Sequence, residues 1–302
     1  MSAYACEGQT ALNAPTTNKN SLFWKYGKGV VTVNVLISVD MEGIAGVVTG
    51  DHVTSSHKEY ERFRKLMTAE ANAAIEGALA GGASQVVVND SHGGMANILI
   101  EELAPAAELV SGSPKTHSMM EGIGPDVDAV FFIGYHAAAG TGAAVLAHTW
   151  NNRVVAQVQL NTQPVGETGL NAALAGAYGV PVVLVTGDRA VTEEARALLG
   201  EIETVAVKDG IARTAARCLH PEIARERIRE AAKRALEQTI PPFVVSPPIT
   251  LRVDFHQASH ADMANLVPGS QRTGGCVVTW TGEDMPAVYK VFRAMTALAW
   301  TK

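Results

Sequence analysis

From Val33 onward, short β-branched runs alternate with Ala-rich stretches of helical period. This is the habit of an α/β protein built on a largely parallel sheet. The first strand is expected over Val33 to Val39. A helix follows from near Lys58 to Leu79, closed by Gly81-Gly82. Its apolar residues Phe63, Met67, Ala71 and Ile75 fall at four-residue steps, so they share one face. Further strands are predicted over Gln85 to Val88, Ala129 to Gly134 and Val180 to Val185, with a helix over Gly166 to Tyr178. Ala144 to Trp150 and Arg153 to Leu160 flank Asn151-Asn152 and read as paired strands about a tight turn.

After Gly187-Asp188 the charge density rises. Val191 to Leu199 and Glu222 to Gln238 read as amphipathic helices, the second entered through Pro221. Pro241 to Pro248 carries four prolines and is expected to be extended. Strands near Thr250 to Phe255 and Val277 to Trp280 precede a last helix, Met285 to Trp300. Three segments are expected: a poorly ordered N-terminal extension (1–32), an α/β core (33–190) and a smaller α+β domain (191–302).

Composition narrows the function classes. The 302 residues are 47% hydrophobic and 18% charged, a globular balance rather than a disordered one. A net charge of −6 without a Lys/Arg cluster argues against nucleic acid as a partner. The apolar runs are too short to span a membrane, and Ser2 to Asn20 lacks the layout of a secretory signal. Cys6, Cys218 and Cys276 are far apart with no CxxC pair, which fits reduced thiols in a cytoplasmic protein.

The chemistry gathers where apolar strands end. Asp40 and Glu42 follow Ile37-Ser38-Val39, two residues apart, so an extended backbone would turn both carboxylates to one side. His92 follows Val88-Asn89-Asp90-Ser91, and His136 follows Phe132-Ile133-Gly134-Tyr135. Open α/β sheets bind ligands at the carboxyl ends of their strands, and Asp, Glu and His gathered there make an N/O set suited to zinc. His148 and Glu167 come next along the chain. Each residue has a plainer account when taken singly: Asp40 or Asp90 as a turn residue, His136 or His148 as a satisfied histidine, Glu167 as a first-turn acid favoured by the helix dipole. Spacing alone does not choose between these accounts.

The string Ser38-Val39-Asp40-Met41-Glu42-Gly43 resembles the SxDxEG motif of the D-aminopeptidase family of metallopeptidases. The likeness continues in order through Asn89-Asp90-Ser91-His92, Gly134-Tyr135-His136 and Pro164-Val165-Gly166-Glu167, then Val207 to Pro221 and Ala264 to Gly269. It covers roughly residues 34 to 300. The resemblance implies two divalent ions, zinc by preference, with Asp40 bridging them and Glu42, His92, His136 and Glu167 completing the shells. It implies that His148 is the catalytic histidine and that the chain forms a homo-oligomer, a decamer. The expected architecture is a three-layer Rossmann-like core with a largely parallel sheet plus the smaller α+β C-terminal domain.

The expected activity is hydrolysis of short peptides or amino-acid amides with a free N-terminus, D-residues preferred, by a metal-activated water assisted by His148. One alternative is a two-metal phosphoesterase, which would aim a cation such as Arg189 or Lys208 at the metals. The other is a metal-dependent peptide-binding protein without catalysis.

Overall fold

The structure is a computed structural model and describes residues 32–301; the expected N-terminal extension falls outside the described residues except at Thr32. In chain order, the first half places β1 (Asn34–Val39), the short α1 (Gly50–Val53), α2 (Tyr60–Ala80), β2 (Gln85–Asp90), β3 (Ala107–Val110) and β4 (Ala129–Tyr135). β5 (Val155–Leu160), β6 (Gln163–Val165), α3 (Glu167–Ala177), β7 (Val182–Asp188) and α4 (Arg189–Leu199) follow. Next come β8 (Glu203–Ala212), β9 (Ala215–Cys218), α5 (Pro221–Ala235) and β10 (Ile249–Phe255). The chain closes with α6 (Ala258–Ala264), β11 (Gln271–Gly274), β12 (Val277–Gly282) and α7 (Met285–Ala299).

Seven strands form one sheet in the order β3-β2-β1-β4-β7-β8-β9. All its pairings are parallel except β8 with β9. The pleat splits each strand between two apolar cores. Val35, Ile37 and Val39 of β1, with Phe131 and Ile133 of β4, meet Phe63, Met67 and Ile75 of α2 and Ile228 of α5. Leu36, Val130 and Phe132 face the other way, toward the core containing Leu170 and Leu174 of α3 and Phe292 of α7. Burying each large side chain contributes about 2 kcal/mol, which explains why these runs show almost no polar positions.

A second, antiparallel sheet runs β11-β12-β10-β5-β6. β10 alternates strictly, with Ile249, Leu251, Val253 and Phe255 buried in the core shared with α7 and the residues between them half exposed. The boundary expected near 190 falls at the junction of β7 and α4. Strands from both sides of it enter both sheets: β8 and β9 join the first, and β5 and β6 pair beside β10 in the second.

Two sequence readings change. Ala144 to Trp150 is not a strand, and the expected hairpin about Asn151-Asn152 does not form. Ala143, Leu146 and Trp150 take positive φ, which a strand cannot accommodate. The segment is instead pinned by Val145 N donating to Asp188 Oδ2 (2.6 Å) and Leu146 N to the Arg213 carbonyl (2.9 Å). β5 finds its partners in β6 and β10. Cys276 lies in the turn between β11 and β12 and is half-buried.

Candidate metal centre

The carboxyl ends of β1, β2 and β4 lie side by side in the first sheet, so the residues after each strand meet at one edge. Two glycines permit the close approach. Gly43 N donates to the Gly134 carbonyl at 2.7 Å, and a Cβ on Gly43 would stand 2.0 Å from the Tyr135 carbonyl oxygen. Gly134 has φ +70, and a Cβ there would lie 2.3 Å from the Asp40 carbonyl oxygen. A side chain at either place would push the Asp40–Glu42 turn away from His136.

All six sequence-nominated residues converge. His92 Nδ1 lies 3.3 Å from Asp40 Oδ1 and 3.0 Å from Glu42 Oε2. His136 Nε2 lies 3.4 Å from both Asp40 Oδ2 and Glu167 Oε1. The two oxygens of Asp40 therefore face opposite halves of the cluster. His148 stacks on His136 with ring centroids 4.1 Å apart, and its Nε2 is 3.7 Å from Glu167 Oε1. Asp40, Glu42, His136 and Glu167 are buried, whereas the His148 side chain keeps 17% exposure toward solvent. Glu42 reaches the cluster from a turn rather than from an extended strand, because residues 41 to 43 bend where the sequence suggested the pleat would continue.

The imidazoles share one arrangement. His92 Nε2 faces the Val53 carbonyl (2.9 Å), His136 Nδ1 the Ala137 carbonyl (3.1 Å) and His148 Nδ1 the Leu146 carbonyl (2.9 Å). A carbonyl only accepts, so each outer nitrogen is the N–H donor and each inner nitrogen points at carboxylates. The inner nitrogen of His136 is fully buried and has no hydrogen-bond partner among the described residues. Carboxylates and imidazole lone pairs held this close repel unless something positive lies between them. Ring N–H groups fixed by main-chain carbonyls are how metal-ligating histidines are oriented, and an all N/O donor set with three carboxylates suits zinc or a similar divalent ion. Two groups of three have the mutual spacing of a metal site: Asp40, Glu42 and His136, and His136, His148 and Glu167. The residues fit the ion that the sequence suggested.

The electrostatics point the same way. Burial and then the charge of Glu42 push the Asp40 carboxyl up to about 7. Burial works against a charged His136, but Glu167 and Asp40 outweigh it and raise it to about 10. Glu42 and Asp40 likewise overcome burial at His92 and hold it well above its ordinary value. The cluster thus draws protons onto the nitrogens when no other cation is there. His148 is the exception: burial and the adjoining His136 push its pKa down, leaving a neutral imidazole.

The polar and charged residues outside the cluster serve as framework. Asp90 accepts from Asn97 N (2.5 Å) and Ile98 N (2.7 Å) and ties down the loop after β2. Ser91 is buried and bonded to Ser38 Oγ (2.7 Å) and the Met119 carbonyl (3.1 Å). Arg189 pairs with Asp209 at 2.7 Å. Lys208 is buried behind the centre, its Nζ donating to the carbonyls of Glu42 (2.5 Å), Ile44 (2.9 Å) and Val47 (2.6 Å). Neither cation is aimed at the cluster as a phosphoesterase would need. Lys208, which would serve the metals only under the phosphoesterase alternative, instead supports three carbonyls more than 160 residues away in the chain.

Asp40, Glu42, His92, His148 and Glu167 line a cavity of about 340 Å³, closed on another side by α7 residues. That lies at the small end of ligand pockets.

Among known proteins, the sequence model described as D-aminopeptidase matches residues 33–294, a span that includes every residue of the cluster. The D-aminopeptidase of Bacillus subtilis (strain 168) is 40% identical over 270 residues, 88% of this chain and 98% of that protein, so the likeness is of whole chains. A solved structure, the Zn-dependent D-aminopeptidase DppA from Bacillus subtilis, described as a self-compartmentalizing protease, matches with a TM-score of 0.87 at 38% identity. That match covers 89% of this chain and 99% of the other, which extends the likeness to both sheets.

Proposed function

This chain belongs to the D-aminopeptidase family of metallopeptidases, and from that membership we propose a zinc-dependent aminopeptidase acting on short peptides or amino-acid amides with a free N-terminus, D-residues preferred. The observation that carries the reading is His136 Nε2, buried without a hydrogen-bond partner among the described residues and facing two carboxylate oxygens at 3.4 Å. A divalent cation held between that nitrogen and those oxygens would satisfy it and offset the repulsion among the carboxylates.

The cluster has room for two roles of Asp40. Its Oδ1 serves the half holding Glu42 and His92, and its Oδ2 the half holding His136 and Glu167. Asp40, Glu42, His92, His136 and Glu167 would hold the two zinc ions of this reading. Zinc bound there supplies Lewis-acid polarisation of the scissile carbonyl and acidification of the attacking water. The Val53, Ala137 and Leu146 carbonyls orient the three imidazoles, and Trp150 N, donating to Glu167 Oε1 at 2.6 Å, fixes that carboxylate. His148 has a different task. Its Nδ1–H is committed to the Leu146 carbonyl, so Nε2 at the cavity wall is a neutral proton acceptor. It takes the proton as the tetrahedral intermediate forms and returns it to the leaving amine, a role worth about 10²–10⁴-fold.

A second reading of His148 has its own support, because its Nε2 groups with His136 and Glu167 at metal-site spacing. Metal analysis together with an amidase assay on wild type, Glu42→Ala and His148→Gln separates the readings. Glu42→Ala is expected to lose zinc and turnover together. His148→Gln is expected to keep its zinc while kcat falls at least 100-fold; loss of one zinc would make it a ligand. Full activity of the chelator-treated protein would end the metallopeptidase reading.

The described relative's self-compartmentalizing assembly, with the family resemblance, supports a homo-oligomer for this chain, a decamer, which light scattering tests. No helix among the described residues is long and apolar enough to cross a membrane, and a cytoplasmic site of action is the reading we favour.

A further inference from the structure

The cavity has two unlike sides. One carries Asp40, Glu42 and Glu167; the other is a face of α7 and its C-cap, Arg293, Thr296, Ala297 and Trp300. These four fall at i, i+3, i+4 and i+7, so one helix stripe forms the wall. Among the described residues, Arg293 is the only lysine or arginine lining the cavity. Its Nη1 donates to the Lys115 carbonyl and, at 2.6 Å, to the Thr116 carbonyl. Among the described residues, Nε and Nη2 have no acceptor and no carboxylate lies within ion-pair distance. Two main-chain carbonyls thus fix one nitrogen of a guanidinium whose charge no internal acid answers.

A planar fork of N–H donors fixed at one corner is suited to a carboxylate, which it can meet with two parallel hydrogen bonds. In a small cleft whose floor holds the metal centre, an unanswered guanidinium on the wall favours a ligand with a carboxylate at the end away from its scissile bond. A short peptide carries that carboxylate; an amino-acid amide does not. Resting on the aminopeptidase reading above, we propose that Arg293 is a specificity residue that binds the C-terminal carboxylate of the substrate. The substrates proper are then short peptides with a free C-terminus, and amides are poor surrogates. The anchor also ties acceptable length to the span between Arg293 and the carboxylate floor, so activity falls as the peptide lengthens.

The test compares one D,D-dipeptide with the same dipeptide as its C-terminal amide, following release of the N-terminal residue by zinc-loaded wild type, Arg293→Gln and Arg293→Lys. Zinc content and thermal midpoint are measured on each variant. A hydrogen-bonded charge pair of this kind is worth about ten- to a hundredfold, so wild type should favour the acid by that factor in kcat/KM, mostly through KM. Arg293→Gln should bring the acid-to-amide ratio near one, and Arg293→Lys should restore part of it. An equal preference in wild type and Arg293→Gln overturns the proposal, as does a wild type indifferent to the carboxylate. Should Arg293→Gln not fold, the wild-type ratio and Arg293→Lys still decide. If wild type cleaves neither compound while holding zinc, the aminopeptidase reading falls first and takes this one with it.

Discussion

The floor and the α7 wall of one cavity are built on opposite terms. On the floor, Asp40, Glu42, His136 and Glu167 are buried, and the outer nitrogen of every imidazole is held by a backbone carbonyl. On the wall, Trp300 is 54% exposed and Arg293 is held at a single nitrogen. The floor concentrates like charge at a cost in stability that a bound cation offsets, so each member must be fixed from several sides. The wall has no such conflict to contain. Chemistry therefore resides where the framework is over-determined, and choice of substrate where it is loose.

Three substitutions sharpen that contrast. The largest effect is expected from Gly134→Ala, which places a Cβ 2.3 Å from the Asp40 carbonyl at a positive φ. Forcing β1 and β4 apart should cost about 3 kcal/mol or more in urea unfolding and remove zinc binding with it. A variant with wild-type stability and zinc content would show that the floor tolerates play. Next comes Lys208→Met, which leaves the Glu42, Ile44 and Val47 carbonyls without their donor. The Glu42 turn should loosen and zinc affinity fall about 10–100-fold, the usual loss when a ligand's support is removed. Competition with a chelator measures this; unchanged affinity would make Lys208 a packing residue only.

The smallest effect concerns stability. Glu70 sits on the buried face of α2, its Oε1 accepting from Ala45 N at 2.8 Å and its Oε2 without a partner among the described residues. Burial raises its pKa from 4.5 to about 7. The folded protein keeps this proton at pH values where the unfolded chain has lost it. Its contribution is therefore complete below about pH 4.5 and lost as pH rises through about 7. Gln holds the same acceptor and cannot ionise, so Glu70→Gln should gain on wild type by on the order of 2 kcal/mol between pH 5 and pH 8. Parallel stability curves would contradict the assignment. At the wall, by contrast, exchanging Arg293 is expected to move substrate preference above all.

Much of this was legible along the chain. β1, β2, β4, β7, α2, α3 and α7 lie within a few residues of their expected positions, because burial of a strand or of a helix face leaves a local period of two or 3.6. The centre was legible for a related reason: Asp40, His92 and His136 each come within two residues of a strand's end, and parallel strands deliver the residues at their carboxyl ends to one edge. The failures share a cause too. The 144–150 segment has the composition of a strand, yet left-handed residues and the side chain of Asp188 decide its path. β8 and β9 were not predicted as strands, and the tasks of Lys208 and Arg293 had no local mark. What the amino-acid order determined by itself was the elements and the chemistry at their ends, since both arise from near neighbours. Only the tertiary structure decided which carbonyls face Lys208, which oxygens of Asp40 face which imidazole, and that α7 closes the cavity. Those contacts join segments far apart in the chain, and long-range packing leaves no periodic trace in either partner.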